Sequence, residues 1–171
     1  MPQTLLALCA VLIFSVFALS QHGAKASTER FAITAEVEMA ASRLARQRLA
    51  TVLAEGFDEA DLGVRRARTG PAGLSPIGAD GGEATEAHFD DVDDFDGVSA
   101  PMTSDWMGES IAFTGEVSVR YVDVGASGIA ASAVPTLTKE VTVVVRAAPA
   151  GFVGTPEIAA TLSQIVTPGS N

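Results

Sequence analysis

The feature that most constrains this chain is an apolar run near its beginning. It reads LLALCAVLIFSVFAL from Leu5 to Leu19, and its one clearly polar member is Ser15. No Asp, Glu, Lys or Arg comes before Lys25. As a helix, the segment from Thr4 to Ser20 would span roughly 25 Å, just short of the hydrocarbon core of a bilayer. A helix this apolar on all sides does not suit the surface of a soluble domain, so it needs lipid or other protein around it.

Three interpretations of this run stay open. It could be the apolar part of a secretory signal, because Ala24-Lys25-Ala26 before Ser27 fits a cleavage site, although the first four residues, MPQT, carry no basic side chain. It could be a short membrane anchor, or an apolar helix buried between like subunits. A lipoprotein signal is excluded because the apolar stretch follows Cys9 instead of preceding it, and we read Cys9 as a small apolar residue of the helix.

Residues 27–55 predict a second, amphipathic helical stretch. Ser27 or Thr28 could cap it, no Gly or Pro interrupts it, and Gly56 follows it. Because only residues 21–26 separate the two stretches, we expect one long helix of about 50 residues, on the order of 75 Å. Apolar residues recur in it at intervals of three and four and form one stripe: Val37, Ala41, Leu44, Ala45, Leu49, Val52 and Leu53.

The rest of the chain predicts a long connection followed by an antiparallel sheet. Residues 56–108 contain many Gly and Pro and an acidic run, which indicates an irregular connection. Alternating β-branched residues predict strands at 115–124 and 137–147, joined by a flexible hairpin loop, within a sheet region covering 109–171. Residues 157–167 suit a helix or a strand, and we favour the strand. The fold class is therefore α+β: a long N-terminal helix, apolar then amphipathic, packed on a small antiparallel sheet.

Charge and residue inventory exclude several functions. The formal net charge is −10, and the ten acidic residues between Asp80 and Glu109, where no Lys or Arg occurs, account for all of it. Such a balance argues against a nucleic-acid partner, which needs clustered basic residues. One cysteine and two distant histidines, His22 and His88, offer no disulfide framework, zinc site or catalytic triad. We therefore expect a protein that is not an enzyme and has no cofactor.

The acidic run FDDVDDFDG at 89–97 is a candidate calcium site, because crowded carboxylates are relieved by a hard cation. Its spacing fails the helix-loop-helix calcium pattern, since the third alternate position counted from Asp91 is Phe95. We favour a solvated loop whose Phe89, Val92 and Phe95 point inward. A basic patch at Arg65, Arg66 and Arg68 is read as a solvated face. The candidate ligands are Asp90, Asp91, Asp93, Asp94 and Asp96.

The order of these elements resembles a type IV pilin or pseudopilin. FDDVDDFDG at 89–97, GEVSVRYVD at 115–123 and TKEVTVVV at 138–145 are similar to segments of minor pilins of the mannose-sensitive haemagglutinin type. The similarity covers about 89–146, and residues 1–55 only in general plan. The N-terminus departs from the family pattern, because Leu5 stands where the family has a glutamate that pairs with a neighbour's terminal amine. Either Met1 is a processed N-terminus or the chain belongs to a divergent branch.

The resemblance implies a structural subunit of an extracellular filament. Its partners would be copies of itself or related pilins, after a stage as a single-pass protein of the inner membrane. The chain would then divide into a membrane and filament-core helix at 1–26, an amphipathic helix at 27–55, a connection at 56–108 and a sheet at 109–171. An anchored or secreted β-rich binding module with an acidic loop is the alternative. The expected core residues are Leu5, Leu8, Leu12, Phe14, Val16, Phe17 and Leu19.

Overall fold

The computed structural model describes residues 2–59, 70–106, 108–126, 128–147 and 159–169, without the side chain of Leu5. The patch at Arg65, Arg66 and Arg68 lies outside the described residues, and so do positions 157–158 of the C-terminal segment. The chain divides into two compact units, Met1–Val37 and Glu38–Asn171. The predicted α+β class is confirmed, because one long N-terminal helix is combined with a small antiparallel sheet of five strands.

Helix α1 runs without interruption from Pro2 to Val52, which is 51 residues and confirms the predicted length. The predicted cap at Ser27 or Thr28 is wrong. The Thr28 hydroxyl donates to the carbonyl of Ala24 at 3.0 Å, a bond made inside a continuing helix. Gly23 does not break the helix either, although glycine has a low helix propensity. The chain leaves the helix at Val52, four residues before Gly56.

Five strands form the sheet, and all their pairings are antiparallel. The order is β1-β2-β4-β5, and β3 pairs with the far end of β2. β2 is long enough to pair with three partners, because its first part meets β1, its middle meets β4 and its last residues meet β3. The strands are β1 (Ser99–Trp106), β2 (Glu109–Gly125), β3 (Gly128–Ala131), β4 (Lys139–Ala147) and β5 (Ala159–Val166).

The core of the second unit lies between the end of α1 and one face of the sheet. Alternation along β2 and β4 sends every second side chain to that face, as the period-two pattern predicted. The apolar stripe of the helix is also confirmed, with Leu53 half-buried and the other members buried. The buried sheet residues include Phe113, Val117, Val119, Tyr121, Val141, Val143 and Val145.

The alternation on β4 makes a testable prediction about neighbouring positions. Val143 is fully buried, so Val143→Thr buries a hydroxyl among apolar side chains and is expected to lower the free energy of unfolding by about 1–3 kcal/mol. The matched change Thr142→Val, on the opposite face, loses only a 2.9 Å bond to the Ser163 hydroxyl and is expected to cost about 1 kcal/mol or less. Urea unfolding of both variants checks this, and equal losses would contradict the alternation.

The structure corrects two boundaries and confirms one choice. β1 lies inside the stretch predicted as an irregular connection, which therefore ends at residue 98. The predicted hairpin loop after β2 contains β3, whose four residues pair with Val122 to Gly125. The C-terminal segment is a strand over Ala159–Val166, as we favoured.

The connection between α1 and β1 is tied to its surroundings by backbone hydrogen bonds. Gly56 and Asp91 form an isolated parallel bridge, with the Val92 N–H donating to the Gly56 carbonyl at 2.9 Å. A single 3-10 turn covers Asp93–Phe95. Gly97 then takes a φ of 73°, a left-handed conformation that glycine adopts without strain, and the chain passes into β1. The Gly97 N–H donates to the Val117 carbonyl at 3.0 Å, and this bond holds the end of the acidic run against β2.

Candidate functional site

The first half of α1 exposes apolar side chains on every side. Nine large apolar residues between Leu6 and Leu19 are 58–76% exposed. Burying them would contribute on the order of 10 kcal/mol per chain. By length and composition, this helix is long and apolar enough to cross a membrane. The predicted core residues Leu8, Leu12, Phe14, Val16, Phe17 and Leu19 are all among the exposed set, while the side chain of Leu5 lies outside the described part.

The polar groups in this segment are compatible with an apolar environment. The hydroxyl of Ser15 donates to the Val11 carbonyl at 2.8 Å, so its hydrogen-bonding need is met inside the helix. Cys9 is an exposed free thiol on the same segment. A helix that is apolar all round and satisfies its own polar groups is suited to lipid or to a bundle of similar helices.

The second site is a buried ionic cluster in the sheet domain, around Lys139. Lys139 and Asp58 are 0% exposed and Asp93 is 1% exposed. The Lys139 ammonium contacts Asp93 Oδ1 directly, lies 3.6 Å from Asp58 Oδ2 and donates to the Phe57 carbonyl at 2.6 Å. The rings of Phe57 and Tyr121 lie 4.6 Å and 5.3 Å from Nζ. One ammonium therefore faces two carboxylates in an aromatic, desolvated pocket.

Ser75 joins the two acidic groups of this cluster. Its hydroxyl lies 3.0 Å from Asp58 Oδ2 and 2.9 Å from Asp93 Oδ2, and its backbone N–H donates to Asp58 Oδ2 at 3.0 Å. The Tyr121 hydroxyl in turn donates to the Ser75 carbonyl at 2.9 Å. The cluster thus joins three places in the connection, at Asp58, Ser75 and Asp93, to the strands β2 and β4.

The acidic run does not form the solvated loop that we favoured, because Asp91, Asp93 and Asp94 are buried. Val92 and Phe95 do point inward and are buried, as predicted, and Phe89 is half-buried. Charge was expected to keep the run in water. Instead, backbone N–H groups and one lysine provide the hydrogen bonds that a buried carboxylate needs.

The five candidate ligands have separate roles. The Asp91 carboxylate accepts hydrogen bonds from the backbone N–H groups of Glu59 at 2.6 Å and Asp93 at 2.9 Å. The Asp94 carboxylate accepts one from the backbone N–H of Asp90 at 3.0 Å. Asp93 pairs with Lys139. Asp96 accepts from the Val119 N–H at 2.8 Å and ties the run to β2. The structure therefore does not bring the five together around one point.

A different acidic group could hold a hard cation. Carboxylate oxygens of Glu83, Asp90 and Asp94 all lie within 4.8 Å of one another. Oxygen ligands of this kind suit Ca²⁺. Glu83 was not among the predicted ligands, because it lies seven residues before Asp90 and only the fold of the connection brings it close.

The pKa values of three carboxyl groups in this region are raised, and neighbouring carboxylates contribute to each shift. The hydrogen bond and charge repulsion from Asp80 raise the pKa of Glu59 to about 7. The Asp80 N–H lowers the pKa of Glu83, but burial and the neighbouring Asp94 outweigh it and leave that pKa raised. Burial, with the adjacent Asp93, raises the pKa of Asp91 to about 8, although Lys139 opposes the shift. The region therefore favours protonation or a positive partner.

The raised pKa of Asp91 predicts a pH dependence of stability. The folded protein keeps a proton on Asp91 that the unfolded chain releases near pH 4. The contribution of Asp91 to stability is therefore full below about pH 4 and is lost as pH rises through about 8. Asp91→Asn keeps an oxygen acceptor but does not titrate, so its urea midpoint should change less across that range. Asp96→Asn is the control and should keep the wild-type slope. A wild-type midpoint that rises between about pH 5 and about pH 8 would contradict the sign.

Arg48, near the end of α1, binds the part of the connection that comes just before the acidic run. Its guanidinium makes two bonds to the Glu86 carboxylate, at 2.7 and 2.8 Å, and lies 5.4 Å from the centre of the Phe95 ring. This bidentate, partly buried pair is stronger than an exposed one. It gives the acidic run a second basic contact besides Lys139.

Sequence reasoning missed the Lys139 cluster, although one signal was present. Lys139 is two residues before Val141 on the alternating strand β4, so period two places it on the buried face. Its partners Asp58 and Ser75 come from the connection, where no periodic pattern exists to place them.

Comparison of the chain with protein-family models, with curated proteins and with solved structures gave no match in any of the three.

Proposed function

We propose that this chain is a structural subunit of a type IV pilus-like or pseudopilus filament, which assembles through its apolar N-terminal helix. The single observation that carries the proposal is the apolar segment of α1, exposed on all sides and continuous with a helical part that packs on its own sheet. The buried core residues of the described chain begin at Val37, so the apolar segment contributes none of them. The segment is therefore available for contacts outside the chain.

The apolar segment of α1 is suited to two environments, first the membrane and then the centre of a filament. Before assembly it lies in the inner membrane as a single-pass helix, where its apolar surface is in contact with lipid. On assembly, the helices of successive copies replace the lipid and pack together at the centre of an extracellular filament. Head-to-tail contacts that do not close generate a fibre instead of a ring. The role is structural and involves no catalytic turnover, cofactor or nucleic acid.

Deletion of residues 2–26 tests this proposal. The full chain is expected in the membrane fraction and in fibres sheared from the cell surface, whereas the shortened chain is expected to be a soluble monomer with an intact sheet. Electron microscopy and far-UV circular dichroism measure the two properties separately. A shortened chain that still forms fibres would refute the proposal.

A second candidate is an anchored or secreted binding module, favoured by the grouping of Glu83, Asp90 and Asp94. It predicts that Ca²⁺ binds, and that Glu83→Gln with Asp90→Asn removes the binding. Isothermal calorimetry of the full chain in detergent measures this, with Asp105→Asn, an exposed acid on β1, as the control. Absence of heat with Ca²⁺ would remove the cation-binding form of this alternative and leave the filament proposal unaffected.

A further inference from the structure

The Lys139 cluster has the components of a covalent reaction besides those of an ion pair. A primary amine contacts a carboxyl group, Asp93, and a second carboxyl group, Asp58, lies 3.6 Å from the same nitrogen. All three side chains are shielded from solvent, and two aromatic rings line the pocket. By contrast, the ion pair between Arg120 and Glu140 is open to solvent, because the Arg120 side chain is 59% exposed.

We propose that Lys139 and Asp93 condense to form an intramolecular amide bond. The Lys139 ammonium first gives a proton to the Asp93 carboxylate, which yields a neutral amine and a carboxylic acid. The nitrogen then attacks Cγ of Asp93, the N–C bond forms, and one Asp93 C–O bond breaks. The nitrogen loses a second proton and the leaving oxygen departs as water. The reaction is Lys–NH₃⁺ + Asp–COO⁻ → Lys–NH–CO–Asp + H₂O, which needs no oxidant, reductant or co-substrate.

Asp58 and Ser75 supply the proton transfers. Asp58 Oδ2 is close enough to Nζ to accept a proton from the attacking nitrogen and pass it to the leaving oxygen. The Ser75 hydroxyl lies 2.9 Å from Asp93 Oδ2, where it can donate to the negative charge that develops on that oxygen. The fold holds amine and acid in contact and excludes water, which favours condensation over hydrolysis.

The bond would connect two parts of the chain that are distant in sequence. Asp93 and Lys139 are 46 residues apart, one in the acidic run and the other at the start of β4. Once linked, the connection could not separate from the sheet when the domain is pulled or heated. This consequence does not depend on the filament proposal, because every residue of the site lies within the second unit, Glu38–Asn171.

A tryptic peptide map of the folded full chain, extracted in detergent, tests the inference. The sequence has no Lys or Arg between positions 69 and 119, so Asp93 lies in peptide 69–120. An amide at Lys139 blocks cleavage there, so the map should contain one branched species, 69–120 joined to 121–146, lighter than the sum of the two by one water. Linear 69–120 together with 121–139 would overturn the proposal and leave an ion pair only.

Three variants test the assigned roles. Asp93→Ala removes the acyl group and Asp58→Asn removes the proton carrier, so both should restore cleavage at Lys139. Asp96→Asn changes an acid of the same run that bonds to the Val119 N–H and should keep the branched species. Circular dichroism shows whether each variant folds. A folded Asp58→Asn protein that is as fully branched as wild type would overturn the role of Asp58, and the wild-type map decides the bond itself whatever the variants do.

Discussion

Replacing Lys139 with methionine is expected to lower the free energy of unfolding by about 3–5 kcal/mol. Methionine fills a similar volume but removes the amine, so Asp93 stays buried beside Asp58 with neither the ammonium nor the proposed amide bond to neutralise it. Uncompensated buried carboxylates either bear the full cost of desolvation or take up protons. The loss should therefore be larger near neutral pH than in acid. Chemical unfolding of the full chain in detergent, followed through Trp106, the single tryptophan, measures the change.

The control for this variant is the ion pair between Arg120 and Glu140 on neighbouring strands, in which the arginine is exposed. Arg120→Met breaks a bond of 2.7 Å to Glu140, but because the arginine is in water its loss should be about 1 kcal/mol or less. Adding Asp93→Asn to Lys139→Met should recover part of the stability, since one buried charge is removed with its partner. A Lys139→Met protein as stable as Arg120→Met would show that the buried cluster does not hold the connection on the sheet.

The second large effect is expected from a charge in the apolar segment. Leu12→Arg places a guanidinium near the middle of the run, on a side chain that is exposed in the single chain. A central arginine costs about 3 kcal/mol in a membrane helix, roughly a hundredfold in an equilibrium. Because each copy in a filament carries the same change, we expect no fibres on electron microscopy and a depleted membrane fraction.

Val134→Arg is the matched control for this change. Val134 is also an exposed apolar residue, but it lies after β3 in the sheet domain. The same substitution there should leave fibres and membrane fraction at wild-type levels. Fibres of normal number from Leu12→Arg cells would mean that the apolar segment is not in the filament core.

The regular elements could be predicted because their patterns are local. Apolar residues at intervals of three and four predicted the buried stripe of α1, and alternating β-branched residues predicted β2 and β4. β1 was missed because SAPMTSDW has few β-branched residues and contains Pro101, which an edge strand tolerates. β3 was missed because it has four residues, three of them Gly or Ala, and these become a strand only by pairing with the end of β2.

The acidic run was misread because burial of a carboxylate depends on distant partners. FDDVDDFDG looks like a solvated segment in isolation. Its Asp93 is buried because Lys139 lies beside it, and its Asp91 is buried because the Glu59 N–H donates to it. The approach of Glu83 to Asp90 and Asp94 has the same origin, because a connection without periodicity gives no indication of which residues meet.

Electron cryomicroscopy of fibres sheared from cells that express the chain is the most direct test of the proposed function. Our account predicts fibres in which residues 5–19 of neighbouring copies are present and pack against one another at the centre, with the sheet domains outside. Fibres built from chains that begin after Ala26, or surface material in which this segment contacts no other copy, would contradict it.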